Sequence, residues 1–372
     1  MWNMWKQELY KTASLKILWV GLLLLLLFVK LRLYEECRHY SVWINGQFYT
    51  GQEAIDKDRE LTAAYAGPLT KEKVYRIYKD FGFYYHDTEQ DRMVGNYCNQ
   101  YITWQMTNYR QTDTEQPGNV TFLEGDAWNQ NAAPLLQGNV YFDYAYGWTD
   151  LRESFSFLMA LVLFVLFIIS ISPVFSNEYM LKTADILLTT KRGASSGIWI
   201  KMAAPLCLSA VIYTVFAAFL WLLYRSVYGT QGLNASAVLI GVPLQGFGLY
   251  SILHFFVFAF FLGLAGLLLL TSMTLAISAL CQNAFLTVVI SVVLFLLPYV
   301  WMLGLSELLT PFLNVHLLKA ISHFMVSMPF FLPTNWIFAF SAEQIQIHLG
   351  IALTMTVCCA LFGYWKYRNY QG

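Results

Sequence analysis

Apolar positions along this chain fall in blocks of roughly 20 residues, the length that crosses a hydrocarbon core. They lie at 14–31, 155–175, 202–224, 249–274, 284–305 and 345–364, which predicts six spans. The first block is followed by Lys30, Leu31 and Arg32 rather than a small-residue cleavage site, so it reads as a retained anchor. Ahead of it, Trp2, Trp5 and Leu9 recur at helical spacing, with Lys6, Glu8 and Lys11 elsewhere on the wheel. That pattern suits a short helix lying in the membrane interface. The expected fold class is an all-α polytopic membrane protein of six transmembrane helices, with an α+β, mainly helical domain inserted between the first two.

The insert, residues 32–153, is rich in charge and tyrosine. Trp43 to Phe48 reads as a hairpin around Asn45-Gly46. Helices are expected over Gln52–Ala66, from a Thr70 cap to Gly82, and over Thr88–Asn108, with a strand at Val140–Tyr144. The chain then divides into 1–31, the interfacial helix and first span; 32–153, the insert; and 154–372, the remaining spans. Within the last part, 176–201 is a polar connection and 306–342 a semi-apolar, amphipathic one.

Composition sharpens this picture. The 372 residues are 57% hydrophobic and 12% charged, with formal net charge zero. A soluble domain carries about twice that charged fraction. No basic patch points to nucleic acid. The segments 1–16, 176–201 and 365–372 hold nine basic residues against three acids, whereas the loops after spans 3 and 5 hold only Arg225 and Lys319. The positive-inside rule then puts both termini in the cytoplasm and the insert outside, in a multi-pass plasma-membrane protein. Of six cysteines only Cys37 and Cys98 lie in the insert, where an oxidising space would allow a disulfide between them.

Candidate chemistry is sparse. The interiors of spans 2 to 6 hold no Asp, Glu, Lys or Arg. Ion-coupled carriers usually place ionisable groups there. His254 and His348 read as groups that hydrogen-bond between helices or lie near the interface rather than as a proton relay or ligand pair, and no metal site is expected. Gly193 to Gly197 matches the Gly-x-Ser-x-Gly nucleophile elbow but lacks the strand that makes the motif work, so it reads as a connection. Neither a phosphate-binding loop nor a zinc-protease motif occurs, and the chain is not expected to be an enzyme.

The most informative stretch is Phe175 to Gly193. Ser176 or Asn177 can cap a helix with Glu178 beside its positive end, while Lys191 and Arg192 suit its negative end and Gly193 the exit turn. Met180, Leu181, Ala184, Leu187 and Leu188 form one apolar stripe. The stripe packs on the protein's own spans or meets a cytoplasmic partner; sequence leaves both open. Phe175-x-x-Glu178, Thr183, Leu187-Leu188-x-Thr190, Gly193 and Lys201 together resemble permease subunits of ABC-2 type transporters. The Tyr146-Gly147-Trp148 approach, the Cys281-Gln282-Asn283 turn and the amphipathic Asn314–Met328 segment are similar too. The insert resembles those of some permeases of Gram-positive bacteria.

That resemblance implies export of a peptide, lipid or other amphipathic substrate. It implies a second permease chain, identical or not, a lipid environment, and a separate cytoplasmic ATPase holding the ATP and magnesium, with no cofactor on this chain. Glu178, Lys182, Asp185, Lys191, Arg192 and Gly193 would form the ATPase-coupling loop. The competing expectations are a membrane receptor or sensor whose insert binds a ligand, and a membrane-bound assembly factor.

Overall fold

The computed structural model describes residues 2–110, 119–137, 139–154, 162–190, 192–244, 246–301, 304, 306–309, 311–322, 324–325 and 342–370. In chain order the elements are α1 (Trp2–Ala13), α2 (Lys16–His39), β1 (Ser41–Ile44), β2 (Gln47–Thr50), α3 (Gly51–Ala63), β3 (Gly67–Pro68), α4 (Lys71–Phe81), β4 (Tyr85–Asp87), β5 (Arg92–Val94) and α5 (Tyr97–Met106). There follow the single turn α6 (Gly125–Ala127), β6 (Tyr141–Phe142), α7 (Tyr146–Ser154), α8 (Phe164–Ile171), α9 (Pro173–Met180), α10 (Ala184–Thr189) and α11 (Ile198–Tyr228). The last are α12 (Ile252–Leu280), α13 (Ala284–Val300), the short α14 (Ser306–Leu309), α15 (Val315–Ser322) and α16 (Ala342–Arg368).

The protein is mostly helical, and four helices are long and apolar enough to cross a membrane: Lys16–His39, Gly193–Tyr228, Ile252–Leu280 and Ile345–Arg368. At about 1.5 Å rise per residue even the 24-residue helices exceed a ~30 Å hydrocarbon core. Leu23, Leu24 and Leu27 of α2 and Val211 and Val215 of α11 are exposed, as helices that face lipid rather than water permit. Shorter apolar helices run over Phe164–Met180 and Ala284–Pro298. The first third of the expected second span, 155–161, and residues 326–341 of the amphipathic connection lie outside the described residues.

The chain forms two compact units, Met1–Phe28 with Glu153–Leu220 and Val257–Gly372, and Val29–Arg152 with Trp221–Phe256. In the second unit, local sequence decides the elements. Asn45 and Gly46, both at positive φ, make the tight turn that sets the β1–β2 register, Ile44 opposite Gln47. Thr70 caps α4 by accepting from the Lys73 N–H, and Gly82 ends it at φ 69. The helix expected over Thr88–Asn108 is different. Tyr85–Asp87 and Arg92–Val94 pair as a hairpin instead. The Asp87 carboxylate accepts the N–H groups of Glu89 and Gln90, competing with helix formation there. The helix starts only at Tyr97, behind an Asn96–Asn99 capping box. The strand expected over Val140–Tyr144 is shorter, Tyr141–Phe142, and pairs with Gly67–Pro68.

Residues 229–251, which read as a plain loop after the third span, are a structural part of this unit. Ser236 and Tyr141 exchange two hydrogen bonds, Ser236 N–H to the Tyr141 carbonyl and Tyr141 N–H to Ser236 Oγ, both 2.9 Å. Gln231 donates to Asp143 at 2.8 Å, and its carbonyl accepts from the Trp148 indole at 2.8 Å. Gly232, at φ 79, lies so close to the Tyr144 carbonyl that any Cβ would collide with it.

Asp58 sits at the centre of the unit, fully buried on α3. It accepts the Tyr40 hydroxyl and the Tyr97 N–H, the latter at 3.0 and 3.1 Å to its two oxygens. Burial pushes its carboxyl up to about 6, against the downward pull of the Tyr40, Tyr97 and Thr62 hydrogen bonds. A carboxyl raised on folding binds its proton more tightly in the folded state. Its stabilising contribution is therefore complete below its ordinary value of 3.8 and lost as pH rises through about 6. Asp58→Asn should remove that slope. Denaturant unfolding of the full chain in detergent from pH 4 to 7.5 should show the variant gaining on the wild type by up to about 3 kcal/mol, the worth of roughly two pKa units.

Candidate functional site

The stretch predicted as one helix over Ser176–Gly193 is an elbow of two. α9 ends at Met180, and Lys182 turns the chain at φ 55. The N–H groups of Leu181, Lys182 and Thr183 satisfy the carbonyls of Asn177, Tyr179 and Glu178, which closes the helix as a left-handed cap does. Glycine usually occupies such a position, and a lysine there hides the break from sequence. The apolar stripe is consequently divided: Ala184 is buried, while Met180 and Leu181 are exposed.

α9 enters the elbow through a second break. Pro173 has no N–H and cannot continue the ladder of α8. Ser278, from α12, repairs the damage. Its hydroxyl accepts the N–H groups of Phe175 and Ser176, both at 3.1 Å, and donates to the Ser172 carbonyl at 2.6 Å. Ser176 Oγ also donates to the Ser172 carbonyl. All four side chains in this node are buried. In apolar surroundings each unpaired backbone group costs several kcal/mol, and one serine on a neighbouring helix satisfies those at the break.

One turn further on, Glu178 is 8% exposed and belongs to a buried network. Lys201, in the first turn of α11, donates to its Oε1, and Tyr367, near the end of α16, donates to its Oε2. The Lys201 ammonium also lies 5.4 Å from the Tyr367 ring centroid. Lys11 of α1 reaches Glu178 at 3.8 Å and Glu8 at 2.7 Å. Phe175 and Tyr179 pack on Tyr367 with centroids 4.6 and 5.6 Å away. Four helices, α1, α9, α11 and α16, therefore meet at one carboxylate. Beside it runs a groove of about 600 Å³, lined among others by Glu8, Lys11, Pro173, Asn177 and Ile186.

Glu178 thus plays a different part from the one expected of it. It lies in the last turn of α9, not beside a helix's positive end, and its charge is neutralised by Lys201 and Lys11. Lys182 and Arg192 are exposed, and Asp185 is exposed in the first turn of α10. Lys191 lies outside the described residues. Gly193 follows the exit of α10, where a Cβ would overlap the Leu187 carbonyl; the residues 193–197 form a π-helical turn into α11 rather than a nucleophile elbow. Tyr367, Lys11 and Ser278 escaped the sequence reading, because nothing local marks them as neighbours of residue 178.

The cysteines Cys37 and Cys98 are both free. The Cys98 thiol donates to Thr62 inside the unit, and burial pushes it well above its ordinary value; Cys37 donates to Gln52. They do not form the disulfide that an oxidising space would allow. Among the described residues no group of three or more metal-ligating side chains is assembled. No family model, no curated protein and no solved structure matches this chain.

Removing one partner of a buried ion pair leaves an uncompensated charge, at a cost of about 3–5 kcal/mol. Glu178→Gln and Lys201→Met should each destabilise the chain on that scale in detergent unfolding, and the double variant should lose markedly less than the sum. Additivity of the two would mean they do not interact. Ser278→Ala should cost about 1–3 kcal/mol through unpaired backbone groups, and Ser278→Thr, which keeps the hydroxyl, should restore most of it.

Proposed function

We propose that this chain is the membrane-spanning permease subunit of an ATP-driven transporter of the ABC-2 type, an exporter of a peptide, lipid or other amphipathic substrate. The observation that carries this reading is the elbow: the Phe175–Gly193 segment that resembles the family's coupling loop is tied through buried Glu178 to the ends of α11 and α16. A push on α10 is thereby carried to several helices rather than absorbed by a loose loop. The exposed side chains on that face, Leu181, Lys182, Asp185, Ile186 and Arg192, suit contact with a cytoplasmic ATPase.

In this reading the two shorter apolar helices join the four long ones to make six spans. Both termini and the elbow face the cytoplasm of a multi-pass plasma-membrane protein, and 32–153 is an extracellular insert. Two permease chains pair in the lipid, and ATP and magnesium belong to the ATPase. The insert carries eighteen acids and eleven basic residues, a net charge of −7, which would favour cationic substrates at the exit.

Reversing charge at Lys191 and Arg192 to glutamate should weaken co-purification of a cytoplasmic ATPase with this chain while leaving detergent unfolding unchanged. Undiminished co-purification counts against the docking role. Cysteine labelling that places the elbow and the insert on the same side of the membrane would end the transporter reading altogether.

A further inference from the structure

The second unit contains a small cavity, about 170 Å³, beside the contact of α3 with α5. Its wall includes Asp58, Asn96 and four tyrosines, Tyr40, Tyr84, Tyr97 and Tyr146. His39, whose side chain is 75% exposed, is also on the wall, so the cavity reaches solvent.

Three features of this wall point to one chemistry. Asp58 is fully buried, yet no basic side chain among the described residues pairs with it. Its charge is moderated only by the Tyr40 and Thr62 hydroxyls and by the Tyr97 N–H at the start of α5. Buried charges are ordinarily paired, so a cation is the missing complement. Next, Asn96 is 2% exposed, and its Oδ1 accepts from the Asn99 N–H, but its Nδ2 has no partner among the described residues. A buried amide donor left open beside a cavity asks for an acceptor oxygen. Asn96 immediately precedes Tyr97, whose N–H binds Asp58, so anionic acceptor and open donor are held side by side. Finally, four tyrosines line the wall, with Tyr40 and Tyr146 packed at 4.5 Å between centroids, and aromatic rings attract cations.

We propose that this cavity binds a small primary ammonium compound bearing a nearby carbonyl or hydroxyl oxygen. Asp58 takes the ammonium, the tyrosines enclose it, and Asn96 Nδ2 donates to the oxygen. The volume is close to the ~150 Å³ that holds one benzene ring, so the bound part has about six heavy atoms. A free amine and the amino terminus of a peptide share this chemistry. The site stands whether or not the chain is a transporter.

The test is titration calorimetry on the full chain in detergent with three probes. Glycinamide carries both groups, N-acetylglycinamide lacks the charge, and triglycinamide extends the oxygen side as a peptide does. Saturable one-to-one binding of glycinamide is expected, with N-acetylglycinamide weaker by at least roughly tenfold. Asp58→Asn should lose glycinamide binding by roughly tenfold or more. Asn96→Ser keeps a helix cap while removing the open donor, and so should weaken binding several-fold even if the Asp58 variant fails to fold. Triglycinamide binding as well as glycinamide assigns a peptide amino terminus; binding glycinamide alone assigns a free small amine. Absence of saturable glycinamide binding, equal affinity for the acetylated probe, or indifference to Asn96→Ser in a folded variant each overturns the proposal.

Discussion

A lipid interior supplies no water, so a break in a helix that crosses it must be repaired by another part of the protein. The helix break at Pro173, among buried side chains, meets the same requirement. One hydroxyl, Ser278 on α12, meets two N–H groups and a carbonyl at the break. With them satisfied, α9 runs on to Glu178, which meets Lys201 and Tyr367. Glu178 thus lies about one turn beyond a backbone requirement that another helix meets.

The Glu178–Lys201 pair is better understood as a positioning device than as a source of stability. Taking two charges out of water costs about as much as their attraction returns, and apolar substitutes often serve as well. An ion pair is nonetheless specific in a way that leucines are not. It admits one register between α9 and α11, and the Tyr367 hydroxyl extends that register to α16. A segment organised in this way is tied to its neighbours through buried contacts.

The second unit solves a similar problem with different means. Its central carboxylate, Asp58, is held by the Tyr40 and Thr62 hydroxyls and by one helix-end N–H, that of Tyr97, instead of a counter-charge. That leaves a carboxyl shifted upward and a polar cavity with unspent hydrogen-bonding capacity at Asn96. Residues 229–251, far away in sequence, close the same unit through Gln231, Gly232 and Ser236. The unit is therefore not a simple insertion between two spans but a body assembled from two stretches of chain.

Some of this was legible in the residues. Long apolar runs require helices in lipid, Asn45-Gly46 requires a tight hairpin turn, and Thr70 and Gly82 bracket a helix, because each rests on the conformational preferences of a few adjacent residues. The hairpin at Tyr85–Val94 was not legible as such, since Asp87 favoured a turn by bonding its own neighbours. The elbow at Lys182 was hidden behind a residue type that rarely takes positive φ. Glu178 stood out in sequence, and so did Lys201, but only tertiary structure joined them to Tyr367 and Lys11, or set Asn96 beside Asp58. Local preferences can be read along a chain; which distant groups neutralise a buried charge depends on packing, and packing exists only once the chain has folded.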